Sequence, residues 1–424
     1  MLEEISKLIK FISKDENGKR SRNLILFFLA FTILLLFINR YFISIIINQQ
    51  FFLTRSALAK LMISNNISPY SNDISAILGN YYSSRTKNIT IDNFIYRDPI
   101  YQLLILFPFS LIVNLDWSFA IWITINQILL FLSLDQIYQL FDWKPDLKEK
   151  GIVFIIVSIS YLSLTFFLDS NFQIIQLFLL LLGLNFYKKE KAVLSGIFLG
   201  LTTIDLFAIL FPLVIITALI FKDKKKPILI WIAISIILLS LAGLIFDANW
   251  PLKMLRNLIL EPDIFPFIGY GLALAGILGT PSISIVVNII PLLIIIWIFV
   301  EWYRMPKDNP QQDFWLISLI LCLNPILIVR NNFQPGIFLL FTYYFIYNLW
   351  NYRSEGKVKY VVFTLFLIIA IFLPLLGLIF PSKLGFFKST ISINLINIFY
   401  LVFILYWVRW WILQTSASYF INRD

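Results

Sequence analysis

The side chains able to do acid–base or ionic chemistry in this sequence gather in one stretch. Between about Asn48 and Trp117 a weakly hydrophobic segment carries Asp73, Asp92 and Asp98, with Arg55, Lys60, Arg85, Lys87 and Arg97 interleaved. Arg97-Asp98 sets a cation beside a carboxylate immediately before Pro99 and an apolar run. A carboxylate so placed can take a proton from a hydroxyl, which is the work of a general base. A guanidinium can hold a phosphate in charge-assisted hydrogen bonds. Arg330, beside Asn331 and Asn332 between two apolar runs, is the best phosphate-binding candidate, and Lys253 and Arg256 in NWPLKMLRN are further ones. Asp98 is the first choice for the base and Asp73 the second. A charge step at a membrane interface accounts for Arg97-Asp98 equally, and an interfacial anchor accounts for Arg330.

The missing residue types narrow the chemistry further. The chain has no histidine, and its one cysteine, Cys322, lies within an apolar run. Ser-His-Asp and Cys-His catalysis, His-ligated metals and disulfides are thereby excluded. No cofactor is demanded. A divalent cation held by oxygens is the one the acids admit, with Asp205, Asp169 and Asp116 as its set, although helix capping explains Asp169 and Asp116 as well.

The elements that must position these groups are membrane helices. Of the 424 residues, 59% are hydrophobic and only 14% charged, with a mean hydropathy of +0.84. The charges fall in clusters between apolar runs of membrane-spanning length. The fold class is therefore all-α, a polytopic transmembrane helical bundle; alternating β-barrel segments are absent. Apolar runs lie near 24–47, 99–114, 118–141, 151–168, 171–187, 192–221, 228–245, 282–300, 313–329, 334–350, 360–380 and 391–413. About 10–13 membrane helices result, some of them short or re-entrant.

The formal charge of +10 reflects Lys/Arg-rich cytoplasmic loops and points to no nucleic acid. Loops 142–150, 187–191, 222–226, 301–307 and 351–359 hold 15 of the 34 Lys and Arg residues. Residues 1–22 and 414–424 then face the cytoplasm, flanking a single transmembrane domain over 23–413. The 48–98 and 246–281 loops face outward. This parity requires two irregular pieces. The 99–114 run, with Pro99 and Pro108, enters and leaves on one side; its rival is a full span that violates the charge rule. The 192–221 run, interrupted at Thr202-Thr203-Ile204-Asp205, forms a hairpin with Asp205 near its tip. Mid-membrane carboxylates and broken helices mark cavities or buried sites. The 57–70 stretch reads as a surface helix or an extension of the first span, and Pro69 to Asp73 as a turn. Gly196 and Gly200 allow close helix approach within the chain.

Several of these motifs together resemble the GT-C superfamily of integral-membrane glycosyltransferases. They are Pro69-Tyr70, Phe94-Ile95-Tyr96-Arg97-Asp98-Pro99, Pro108-Phe109-Ser110-Leu111, the small-residue helix Leu194 to Leu201, and Asn324-Pro325 through Asn332. The chain is most similar to the family-87, α-mannosyltransferase-like branch, over roughly residues 20–350. The resemblance implies hexosyl or mannosyl transfer from a polyprenyl-phosphate donor to a lipid or glycan acceptor at the extracytoplasmic face of the cell membrane. The chemistry of such a transfer, independently of the resemblance, points to Asp98 or Asp73 as the base and to Arg97, Arg330, Arg256, Asn331 and Asp205 as substrate-binding residues, with membrane lipids around them. The family's early carboxylate register falls here near Gln49, Gln50 or Phe52. The carboxylate has moved to Asp73, Asp92 or Asp98, or the chain is an inactive lipid- or glycan-binding or assembly subunit. A secondary transporter or flippase is the remaining alternative.

Overall fold

The computed structural model describes residues 16–42, 50–83, 94–145, 147–160, 163, 171–260, 283–304, 310–327, 336–353, 361, 364 and 398–409. Among these residues there are helices and turns and no strand. The helices, in chain order, are α1 (Glu16–Phe42), α2 (Gln50–Asn65), α3 (Ile74–Ser83), α4 (Tyr101–Ser110) and α5 (Leu115–Leu140). There follow α6 (Leu147–Ile159), α7 (Gln173–Lys188), α8 (Ala192–Leu201), α9 (Leu206–Lys222), α10 (Lys226–Leu244) and α11 (Trp250–Leu260). Last come α12 (Ile283–Arg304), α13 (Pro310–Leu327), α14 (Leu339–Arg353) and α15 (Ile398–Arg409). The all-α membrane bundle expected from hydropathy is what the chain forms. The run expected at 360–380 lies almost wholly outside the described residues.

Local chemistry sets the helix ends. Asn114 caps α5, its side-chain oxygen accepting from the N–H groups of Asp116 and Trp117 at 3.1 and 3.2 Å. The cap is thus Asn114, and Asp116 instead sits in the first turn, where the helix dipole favours an acid. Pro227 lies in the first turn of α10, where its missing N–H costs no hydrogen bond. Three helices close alike: Asp142, Glu190 and Lys224 take φ of 54, 56 and 57°. In each case the following N–H reaches a carbonyl five residues back. This left-handed closure usually uses glycine, so three charged residues carry a local strain there.

Those three turns lie at one end of the bundle, joined by polar contacts. Lys188 bonds Asp142 at 2.6 Å, Lys150 bonds Asp135 at 2.9 Å, and Tyr187 donates to Asp223. Lys222 donates to the carbonyl of Trp302 at 2.8 Å, and Arg409 pairs with Glu301 at 2.5 Å. The described parts of the five Lys/Arg-rich loops thus border a single end.

The 192–222 run is strongly apolar on either side of Thr202–Asp205 and, at 31 residues, longer than one span needs. It does not run straight. Ser195 donates to the carbonyl of Gly183, and Gln176 to that of Thr202, so α8 returns antiparallel to α7. Asp223 at the end of α9 lies by Tyr187 at the end of α7, so α9 runs parallel to α7 and back along α8. The reversal occurs at a 3₁₀ turn, Thr202–Asp205, where Asp205 is extended and its side chain caps α9. The expected hairpin, with Asp205 at its turn, is present.

α4 does not cross the bundle either. Its first residue, Tyr101, donates to the carbonyl of Thr203 at 3.0 Å, and its last turn accepts at Phe109 from Ser118 in the first turn of α5. Both ends of α4 therefore lie at the end opposite the basic loops, as a same-side entry and exit requires.

Two apolar cores result. One unites the far half of α5 with α7, α8, α9, α13, α14 and α15. The other packs α2, α4 and the start of α5 around Phe52, Trp122, Phe172, Tyr96 and Trp250. Of the two readings of 57–70, the surface helix is not what forms: α2 is buried through residues 52–59, Arg55 included, because α4 and α5 cover it.

Gly196 and Gly200 bring α8 onto α10. A methyl group on Gly196 would overlap Trp231 Cβ and lie 2.6 Å from the Ile228 carbonyl oxygen. Gly196→Ala is accordingly expected to lower stability by about 1–3 kcal/mol through overpacking. Gly79→Ala, which meets nothing within 4 Å, serves as the control in a thermal melt.

Candidate functional site

Asp98 is buried in the second core, 1% exposed, and its carboxylate takes its charge partner from another element. Arg55 Nη2 on α2 lies 2.7 Å from Asp98 Oδ2. The guanidinium also packs over the ring of Phe51, one helical turn earlier, 3.4 Å from its centroid. The neighbouring Arg97, expected to share the charge with Asp98, is half-buried; the ion pair at Asp98 is made by Arg55.

Three side chains fix the backbone that carries Asp98. The Tyr70 hydroxyl donates to the Asp98 carbonyl at 2.6 Å. The Tyr96 hydroxyl donates to the Pro99 carbonyl at 3.1 Å, and Asn257 Nδ2 donates to the Tyr96 carbonyl at 3.0 Å. Burial, and then the nearby carboxylates Asp98 and Asp247, push the Tyr70 phenol well above its ordinary range, which keeps its proton available for that bond. Proline at 99 offers no N–H, so one fewer backbone donor needs a partner in this buried corner.

Asp205 lies at the same end. Gln176 Nε2 donates to the carbonyls of Thr202 and Asp205, each at 2.7 Å, and so pins the hairpin turn. Tyr101, three residues beyond Asp98, donates to the neighbouring Thr203 carbonyl. One phenol therefore joins the element bearing Asp98 to the turn bearing Asp205.

A third acidic group, which the sequence did not single out, completes this end. Asp247 Oδ2 accepts from Ser68 Oγ at 2.5 Å and from Lys253 Nζ at 2.7 Å. Burial opposes its ionisation, but these bonds and the Asn249 N–H together hold its carboxyl below the usual range. The contact ties the loop after α2 to the corner between α10 and α11. Lys253 is thereby committed to Asp247.

The other predicted residues are dispersed. Asp73 sits exposed in a turn, its carbonyl accepting from Ile77 at the start of α3, outside the buried cluster. Arg256 is exposed on α11. Arg330, Asn331, Asp92, Arg85, Lys87 and Asp169 lie outside the described residues. The acidic set proposed for a divalent cation is not assembled: Asp116 pairs with Arg40 at 3.0 Å, whereas Asp205 is buried in the hairpin turn. No group of three metal-ligating side chains occurs among the described residues. A cleft at the basic end, lined by Leu184, Ile216, Leu219, Ile220 and Phe314, is apolar and contains none of the candidates.

Compared with known proteins, residues 94–256 match the family model of glycosyltransferase family 87. Neither a curated protein nor a solved structure matches the chain. The matched segment begins at the strand-like residues before Asp98 and ends on α11. It includes Asp98, Tyr101, Gln176, Asp205 and Asp247; Arg55 and Tyr70 reach it from outside. This segment, less than half of the chain, is thus similar to glycosyltransferase family 87, and it lies within an apolar helical bundle.

Proposed function

We propose that the chain moves a hexose or pentose, mannose by family analogy, from a polyprenyl-phosphate donor to a lipid or glycan hydroxyl at the extracytoplasmic face. Asp98 is the base. The observation that carries this reading is a buried carboxylate within the family-matched segment, placed beside a fixed cation and at the end away from the basic loops. An opposite charge at contact distance favours the ionised carboxylate, the form a base requires.

In the transfer, Asp98 takes the proton of the acceptor hydroxyl as the acceptor oxygen bonds to the anomeric carbon. The bond from that carbon to the phosphate oxygen breaks, and the pair of electrons leaves with the polyprenyl phosphate. Cations facing the phosphate stabilise the growing charge; Arg330 is assigned to it, with Arg97, Asn331 and Asp205 lining the sugar. Asp73, exposed in its turn, becomes the secondary candidate.

The extracytoplasmic assignment rests on the grouping of the basic loops and on the preference of Lys and Arg for the cytoplasmic side. Single cysteines at Ser64 and Lys224, both exposed and at opposite ends of the bundle, test it in a Cys322→Ser background. Ser64→Cys should react with an impermeant maleimide from outside intact cells and Lys224→Cys only after lysis; the reverse pattern would place the site in the cytoplasm. The activity is tested by incubating purified protein in proteoliposomes with polyprenyl-phosphate-linked sugars and lipid acceptors. Release of polyprenyl phosphate with matching gain of glycosylated acceptor supports the reading. Donor binding without release identifies a binding or assembly subunit.

A further inference from the structure

α11 divides its surface in a way that sugar transfer does not explain. Trp250 and Met254 are buried against the second core, and Asn257, one turn on, bonds the Tyr96 carbonyl. These positions recur every three to four residues and define the inner face. On the outer face Leu252 is 69% exposed and Leu255 50%. Successive residues turn by about 100° around a helix. Leu255 and Leu252 therefore lie toward one flank, with Arg256 and Lys253 toward the other.

Two observations say what covers this face. First, it continues an aliphatic surface along α10, where Ile237, Leu238, Leu241, Leu244 and Ile245 are all exposed. α10 is apolar and long enough to cross a membrane, so this strip faces lipid chains, and the exposed Leu252 and Leu255 follow it just beyond the corner at residues 247–249, where Asn249 is also exposed. Trp250 Nε1 donates back to the Ser240 carbonyl at 3.3 Å, which places the start of α11 beside the last turn of α10. Second, the cation on the charged flank is left for an external partner. Lys253 is bound by Asp247, whereas Arg256 is exposed and no ion pair at it occurs among the described residues.

We propose that α11 lies in the plane of the membrane interface, with Leu252 and Leu255 in the acyl boundary and Arg256 holding the phosphate of an anionic membrane lipid. An apolar flank beside a Lys/Arg flank is the arrangement that seats a helix at this depth. Anionic headgroups attract such cations with about 1 kcal/mol per residue. The inner face of α11 touches the segment that carries Asp98, so the bound lipid sits against the outer wall of the candidate site.

The test uses the full chain in lipid nanodiscs, in a Cys322→Ser background, with an environment-sensitive fluorophore on Leu255→Cys and, separately, on Leu252→Cys. Strong quenching by lipids spin-labelled near the headgroup, and weak quenching by aqueous iodide, is the expected result at both positions. Strong iodide quenching with no lipid quenching at both positions overturns the in-plane placement. Native mass spectrometry then compares retained phosphatidylglycerol with phosphatidylcholine. Arg256→Gln should weaken phosphatidylglycerol retention about fivefold, with Lys224→Gln at the other end leaving that site unaffected and the melting temperature unchanged. Equal retention by Arg256→Gln and the parent overturns the phosphate assignment.

Discussion

Arg55→Met should destabilise the protein by about 3–5 kcal/mol, the usual cost of removing one member of a buried ion pair. The reason lies in the surroundings of Asp98. Its side chain is 1% exposed and that of Arg55 10%, so water cannot take over the lost charge partner. The desolvation of Asp98 has already been paid in the folded state, and methionine returns nothing for it. The methionine still fills the space above Phe51, so the loss is electrostatic and not a cavity. Changing both members, as Arg55→Met with Asp98→Leu, removes the unpaired charge and should bring stability back to the parental value or above it. Thermal unfolding in detergent can be followed through Cys322, which is fully buried and the only cysteine in the chain. A thiol-reactive dye reports its exposure. A small shift for Arg55→Met would mean that solvent reaches the pair.

Asp98→Asn separates the chemistry from the fold. The asparagine amide oxygen can still accept from Arg55 Nη2, and its backbone carbonyl keeps the bond from Tyr70. The fold should therefore lose much less than in Arg55→Met. The amide cannot take a proton from the acceptor hydroxyl, and general-base catalysis contributes about 10²–10⁴-fold. Transfer should fall by that factor, in kcat more than in KM, because the missing interaction acts in the transition state. Asp73→Asn, at an exposed turn, should leave the rate unchanged. A full loss in Asp73→Asn with transfer retained in Asp98→Asn would exchange the two roles.

Much of this architecture can be read from the chain because the bilayer imposes simple rules. Apolar length located the spans, and the clustering of Lys and Arg grouped the loops that the structure brings to one end. The polar break at Thr202–Asp205 announced the hairpin, since a carboxylate inside an apolar run requires local satisfaction; Gln176 provides it for the backbone. Pro99 and Pro108 marked the short α4, and Gly196 and Gly200 marked the contact with α10.

The site was legible only in part. The carboxylate proposed as the base stood out in the sequence, but its ion-pair partner did not, because Arg55 and Asp98 are 43 residues apart and meet only after α2 packs beneath α4. Adjacency in sequence suggested Arg97 instead. The polar residues of α2 suggested a solvated helix, yet one arginine can be buried when a single carboxylate meets it. Asp247 gave no signal either, since its role depends on Ser68 and Lys253 arriving from two elements. Tyr70 was noticed within Pro69-Tyr70, but its hydrogen bond to the Asp98 carbonyl is a tertiary fact. Interfacial helices were expected in the 48–98 loop without bounds, and the short α3 is one of the two helices described there.

The most direct test of the account is sugar transfer by the paired variant, Arg55→Met with Asp98→Leu, measured in proteoliposomes beside the parent at equal folded fraction. The fold is restored in this variant and the base is gone. The account predicts no release of polyprenyl phosphate above the protein-free background. Release at a rate comparable to the parent would contradict it, leaving Asp98 as half of a structural ion pair and placing the catalytic base elsewhere in the chain.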